Sequence, residues 1–283
     1  MAGVALITDS TADLAPETVR AMGVTVVPLE VTFGDRRFLA GVDLTTEEFW
    51  ARMTAPDAPF PTTAAASPGQ FHEAFEASFA GGADAVVCVC VTGTLSGTIK
   101  SAAIARDMLP DREIHIVDSR SVSMALGILV ELGCELAAEG RPAAEIARIL
   151  EDRAGDTDLY LALDTLEYLR KGGRISGAVA AVGGLISMKL IITVSDGHVV
   201  PVDRVRTRSK ARERCLELLT ARPVERVAVL HTTNADVETF RQQLLDRLAG
   251  RIDPAKVSVQ TVGASVGPHL GPGSVGAVVL YAR

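Results

Sequence analysis

The chain has 283 residues, of which 28 are Lys or Arg and 35 Asp or Glu, so its formal charge is −7; 48% of it is hydrophobic and only 4% aromatic. Such a composition is that of a folded chain with one large or two medium domains, and it excludes intrinsic disorder. The acidic balance argues against nonspecific nucleic-acid binding, which needs basic residues to displace counterions from phosphates, and the scarcity of aromatics argues against base-stacking platforms.

Residues 4–8 form a first short β-branched run, too short and without the basic flank needed to direct secretion, so a cytoplasmic location is expected. A short helix opens at Pro16 and closes at Met22-Gly23, and residues 24–31 read as one extended segment. Thr45-Thr46-Glu47-Glu48 is a capping box that starts a helix carrying Phe49, Trp50 and Met53. Residues 55–66 read as loop. Ser67-Pro68-Gly69-Gln70 is a second helix start, and Phe71, Phe75 and Phe79 fall on one face of the helix that it opens. The continuous apolar run 85–91 predicts a central strand covered on both sides. It ends in a polar turn, Thr92-Gly93-Thr94-Leu95-Ser96-Gly97-Thr98, that leads into a helix. A strand over 113–117 and helices over 123–139 and 143–153 finish this half, which alternates strands with crossover helices.

The texture changes after Gly155-Asp156, where the spacing places a boundary between domains 1–155 and 156–283. A strand at 159–163 precedes a short helix over 164–169 stopped by Gly172-Gly173. Residues 175–194 imitate a membrane span in hydropathy, but their Gly, Ser and Lys content fits two short buried elements better. Asp196-Gly197 marks a hairpin turn between strands at 190–194 and 199–202. A helix at 209–219, a strand at 227–230, a helix at 235–248 and strands at 257–262 and 276–280 complete the chain. The fold class is therefore α/β, with a mostly parallel N-terminal sheet and a mixed C-terminal half. Cys88, Cys90, Cys134 and Cys215 lack metal-ligand spacing and read as buried thiols.

Ligands of open α/β sheets gather beyond strand ends. Three polar turns qualify: Thr8-Asp9-Ser10-Thr11, the turn 92–98, and Asp118-Ser119. In the second, the hydroxyls of Thr92, Thr94, Ser96 and Thr98 interleaved with glycine suit an anion, and they equally suit a plain helix cap. Gly267-Pro268-His269-Leu270-Gly271-Pro272-Gly273 carries its histidine on a stiff, turn-forming segment. Basic clusters stand at 170–174 and 204–210, either as solvated surface or as a meeting place for an acidic partner. Walker and dinucleotide-binding glycine patterns are absent, and Thr94 and Thr98 stand where a serine-hydrolase elbow needs glycine.

These segments together resemble the DegV family of bacterial fatty-acid-binding proteins, which includes the subunits that present fatty acid to a fatty acid kinase. The matching pieces are Thr8-Asp9-Ser10-Thr11, Pro61-Thr62-Thr63 with Ser67-Pro68-Gly69-Gln70-Phe71, Leu95-Ser96-Gly97-Thr98, Val117-Asp118-Ser119, residues 169–176, Val205-Arg206-Thr207, and His269-Leu270-Gly271-Pro272-Gly273. The resemblance implies two α/β domains with the ligand at their interface: a long-chain fatty acid such as palmitate, its acyl chain in an apolar tunnel. It implies a carboxylate held by Thr63, rather than Thr62, with Ser96 and His269, supported by Gly97 and Arg174. Arg206 falls on the surface implied to dock the kinase. The chain would be a carrier of the acyl phosphate with no catalytic residue, metal or cofactor of its own, in transient contact with a membrane surface. Ala64-Ala65-Ala66 and Gly93-Thr94 depart from the family pattern. The rival is a serine-dependent acyl or phosphate ester hydrolase, with Ser96 as nucleophile, His269 as base and Asp9 or Asp118 as orienter.

Overall fold

The computed structural model describes residues 3–175, 188–233 and 235–283. Its N-terminal part runs β1 (Val4–Asp9), α1 (Pro16–Met22), β2 (Thr25–Val27), β3 (Glu30–Phe33), β4 (Arg36–Leu39), α2 (Thr46–Met53), β5 (Thr62–Ala64), α3 (Pro68–Ala80), β6 (Ala85–Cys90), α4 (Thr98–Asp107), β7 (Glu113–Asp118), α5 (Met124–Ala138) and α6 (Ala143–Ala154). Four of the strands form a parallel sheet in the order β2-β1-β6-β7. Every residue of β6 is buried, as its unbroken apolar run requires of a strand with helices on both faces. One face packs on α5 and α6 through Leu129, Ile146 and Leu150. The other packs on α3 and α4 through Phe71, Phe75 and Ala102, with Phe79 only partly buried beneath Arg112. Both capping boxes form as read, Thr45 with Glu48 and Ser67 with Gln70.

Residues 24–31 are not one strand. They divide at Pro28-Leu29 into β2, which belongs to the parallel sheet, and β3, which belongs to a separate antiparallel sheet in the order β4-β3-β5. Pro28 has no N–H for a ladder, and the Leu29 N–H instead donates to Ser10 Oγ at 2.8 Å. The region 55–66 likewise corrects the loop reading: Thr62–Ala64 pairs with β3, placing Thr63 opposite Val31.

The C-terminal part runs β8 (Thr157–Leu163), α7 (Glu167–Lys171), β9 (Lys189–Ser195), β10 (His198–Val205), α8 (Arg208–Leu219), β11 (Val224–His231), α9 (Val237–Arg247), β12 (Ser258–Thr261), α10 (Gly267–Leu270) and β13 (Val275–Tyr281). Its six strands are ordered β10-β9-β8-β13-β11-β12, antiparallel except for the β11–β12 pair. Of the two buried elements expected over 175–194, residues 176–187 lie outside the described residues and the end is β9. One face of this sheet is covered by α8 and α9 through Cys215, Leu219 and Phe240. The other meets Met124, Ala125 and Ile128 of α5. The same helix turns Leu126, Leu129 and Val130 toward the parallel sheet, so its first seven residues, all apolar and buried, lie between the two. Trp50 Nε1 donates to the Val262 carbonyl at 2.8 Å, fastening α2 to the segment that leads into α10. Cys88, Cys90 and Cys215 are buried as expected, whereas Cys134 is only half-buried.

Candidate functional site

A concave, mostly apolar cavity, the usual setting of a small-molecule site, lies where the two large sheets and the small one meet. Most of its wall is aliphatic. Alternation along β8 sends Leu159 and Leu161 to the cavity face and Tyr160 and Ala162 to the face under α8. Ile192 and Val194 of β9 and Val199 of β10 continue that surface, and Leu29, Val91, Leu95 and Val122 come from the N-terminal part.

Polar groups converge on it from four elements that are remote in sequence: Thr63 from the middle of β5, Ser96 from the turn before α4, Arg174 from the segment after α7, and His269 from α10. Thr63 Oγ1 and His269 Nε2 share a hydrogen bond at 3.3 Å across 206 residues of chain. The His269 Nδ1 atom is buried without a hydrogen-bond partner. Gly172 accounts for that, because its bare Cα lies against the imidazole; a Cβ there would stand 2.1 Å from Nδ1. Arg174 donates from Nε to the Leu95 carbonyl at 3.3 Å and from Nη1 to the Gly172 carbonyl at 2.8 Å, so the guanidinium braces the backbone on both sides of the site. Burial, and then the Arg174 charge, lower the His269 pKa to about 4. The imidazole is therefore neutral at pH 7 and carries a single N–H, while Arg174 supplies the positive charge. The α10 segment approaches its surroundings closely, as its glycines suggest: a Cβ on Gly267 would strike Phe49, and one on Gly271 would strike Tyr168. Tyr168 stacks on Phe60, upstream of β5, with ring centroids 6.2 Å apart, and Lys171 Nζ stands 5.5 Å from the Phe60 ring.

Not every hydroxyl of the turn 92–98 serves this cavity. Among the four, Ser96 lines it. Thr94 Oγ1 donates to the Gly197 carbonyl at the β9–β10 turn, Thr92 pairs with Thr94, and Thr98 is buried against Ser96 Oγ at 2.8 Å. The Thr98 N–H also donates to Ser96 Oγ at 3.3 Å, so the capping role and the cavity position coexist in one serine. Gly97 stands at the start of α4, where a Cβ would only touch Ala65, and Ala64 and Ala65 line the cavity. Arg206 is elsewhere, exposed after β10 and without an ion pair among the described residues. In the same basic stretch Arg208 pairs with Asp164, and just beyond it Arg212 pairs with Asp236.

The hydrolase arrangement is not assembled. Asp9 accepts from the Thr11 N–H, the Thr11 hydroxyl and the Val91 N–H, and Asp118 accepts from the Gly93 and Arg120 N–H groups. Neither carboxylate orients His269, which is bonded to Thr63 rather than to Ser96. The apolar wall is what residue reading missed; its signal was the alternation in 159–163 and 190–199, which marks a buried face without saying whether that face is packed or hollow.

A family model described as "uncharacterised protein, DegV family" matches residues 3–282. The chain belongs to the DegV family. It is 36% identical over 281 residues to a DegV domain-containing protein of Streptomyces coelicolor, covering 98% of each chain, and 35% identical to one of Deinococcus radiodurans, covering 96% of each. Among solved structures, a DegV family protein from Thermus thermophilus described by its fatty acid binding superimposes with a TM-score of 0.90 at 32% identity, covering 99% of this chain and 100% of that one. DegV of Bacillus subtilis, described as a fatty acid binding protein, gives 0.85 at 28% identity with both chains fully covered. A stearic acid-binding protein from Eubacterium ventriosum gives 0.88 at 25% identity, covering 99% and 98%. The two-domain α/β architecture is thus that of DegV fatty-acid-binding structures.

Proposed function

We propose that this DegV protein binds one long-chain fatty acid, with the acyl chain in the aliphatic cavity and the carboxylate at Thr63, Ser96 and His269. The observation that carries this reading is the asymmetry of the cavity: a long aliphatic wall with two hydroxyls, a neutral imidazole and one guanidinium drawn together from four elements. A carboxylate taken out of water without donors costs several kcal/mol or takes up a proton, and this set supplies both the donors and the opposing charge. A palmitoyl tail offers roughly 11 kcal/mol gross at ~0.8 kcal/mol per methylene, before the cost of ordering it. The tail gives affinity and the head group gives orientation. Native mass spectrometry of the purified protein tests the reading: a co-purifying long-chain fatty acid, and a higher melting temperature on adding one to delipidated protein, are expected. Absence of both would sink it.

On the motif resemblance alone, we extend the reading to a carrier that presents the carboxylate to a separate fatty acid kinase, retains the acyl phosphate, and touches membrane surfaces in passing. Arg206, exposed and unpaired among the described residues, is the side chain we assign to kinase docking. Arg206→Ala is expected to keep full lipid occupancy and to slow phosphorylation of the bound acid by a cognate kinase; equal loss of both would place Arg206 in the pocket's support instead. Nothing in this reading asks the chain for a cofactor or a catalytic residue of its own.

A further inference from the structure

Besides the head-group set, the cavity is lined by three polar residues: Thr11, Ser123 and Ser265. They are only 4%, 1% and 4% exposed, whereas Thr63, Ser96, Arg174 and His269 are half-buried, so the three are shut further from bulk water than the head-group set. Each of the three hydroxyls is engaged elsewhere. Thr11 donates to Asp9 at 2.5 Å, Ser123 donates to Asp13 at 2.5 Å, and Ser265 shares a hydrogen bond with Ser10 at 2.7 Å. Asp9, Ser10 and Asp13 line a neighbouring cavity on the other side of this wall and do not line the fatty-acid cavity.

Asp13 has the most demanding of these roles. Its second oxygen accepts the Gly263 N–H at 2.8 Å, which fixes the root of the segment that carries Ser265 and His269. Ser123 is held at φ 61°, ψ −147°, a conformation that residues other than glycine rarely adopt. Two bonds hold it there: its N–H donates to the Thr11 carbonyl at 2.9 Å and its hydroxyl to Asp13. Strained backbone persists where its surroundings over-determine it, and here the result is a serine that faces an acyl-chain cavity with its proton turned away.

We propose that Asp13 is a specificity-determining positioning residue: by taking the Ser123 proton behind the wall, as Asp9 takes that of Thr11, it withholds that donor from the cavity, so that an unsubstituted acyl chain is preferred to one oxygenated at mid-chain. This rests on the fatty-acid reading above. A keto group on the chain loses its water on entering and finds the Thr11 and Ser123 protons already committed to carboxylates, whereas a methylene loses nothing. Replacing Asp13 by Asn tests the assignment with little change of shape. The Asn carbonyl oxygen keeps the Gly263 N–H, and its NH₂ then donates to Ser123 Oγ, which releases the serine proton toward the cavity.

The experiment measures dissociation constants of stearate and of 10-oxo- and 12-oxostearate for the delipidated full chain at pH 8.5, where Asp13 is ionised. The wild type is expected to prefer stearate by about tenfold or more, and Asp13→Asn to narrow that ratio about fivefold, as one recovered hydrogen bond implies. In Asp13→Asn/Ser123→Ala, which has no proton to release, the narrowing disappears. Two outcomes overturn the proposal: a folded Asp13→Asn that binds stearate with the wild-type ratio, or a Ser123→Ala single variant that weakens the oxo acids more than stearate, since that would show the proton already available in the wild type. The second decides the matter even if Asp13→Asn fails to fold. A wild type that binds none of the three acids refutes the fatty-acid reading itself and is distinguishable from either.

Discussion

The position of one imidazole depends on a glycine that never touches a ligand. Gly172 has φ −75°, an ordinary helical value, so alanine there meets no backbone strain; the consequence of a Cβ is steric, 2.1 Å from His269 Nδ1. Gly172→Ala is therefore expected to displace the ring from Thr63, to lower fatty acid affinity about tenfold or more, and to leave the far-ultraviolet circular dichroism spectrum native. Affinity within twofold of wild type would mean that His269 is not a head-group ligand. Thr63→Val removes one donor at nearly constant volume and is expected to cost about 1–3 kcal/mol of binding, read by displacement of a fluorescent fatty acid. Residue types alone left Ser96 open between cap and ligand. The structure explains that ambiguity, because the serine whose oxygen accepts the Thr98 N–H also lines the cavity.

The β9–β10 hairpin carries Val194 and Val199 into the cavity wall, and its tip is held by the turn before α4 through Thr94. Asp196 and Gly197 have φ 48° and 78°, the paired left-handed values of a two-residue hairpin turn, and a Cβ on Gly197 would fall 2.4 Å from Thr92 Oγ1. Gly197→Ala combines backbone strain with loss of this contact. It is expected to destabilise the chain by about 1–3 kcal/mol in urea denaturation and to shrink the thermal shift given by added fatty acid. A thermal shift equal to wild type would show that the hairpin tip plays no part in closing the cavity. Asp196-Gly197 was legible as a turn because its chemistry is local, and so were both capping boxes and the apolar run of β6. The three-residue β5 was not: Thr62-Thr63-Ala64 has no pattern of its own and is a strand only because β3 supplies a partner. Its pairing aims Thr63, so the strand missed locally is the one that builds the head-group end.

At the scale of the molecule, a parallel first sheet and a mixed second half were readable from alternation, but the third sheet and the buried polar support behind the cavity were not, since Asp9 and Asp13 act through partners up to 250 residues away. That support has a pH signature. Burial raises the Asp13 carboxyl from its ordinary 3.8 to about 7, and burial followed by Arg174 lowers His269 from 6.5 to about 4. The folded chain holds the Asp13 proton more tightly than the unfolded chain does, so this contribution to stability is complete below about pH 4 and is lost as the pH rises through 7. For His269 the sense is opposite: its contribution is complete above pH 6.5 and is lost as the pH falls through 4. At 1.36 kcal/mol per unit the two spans are roughly 4 and 3 kcal/mol. Asp9, also raised by burial, adds to the Asp13 sense. Between pH 4 and 6.5 the slopes of Asp13 and His269 therefore oppose each other in the wild type. Asp13→Asn removes one of them, so its urea-derived stability, plotted as the difference from wild type, is expected to climb with pH across that window. His269→Gln is expected to give the reverse slope. Parallel profiles for wild type and Asp13→Asn would show that Asp13 titrates like an exposed carboxylate, and that the wall between the two cavities is open to water.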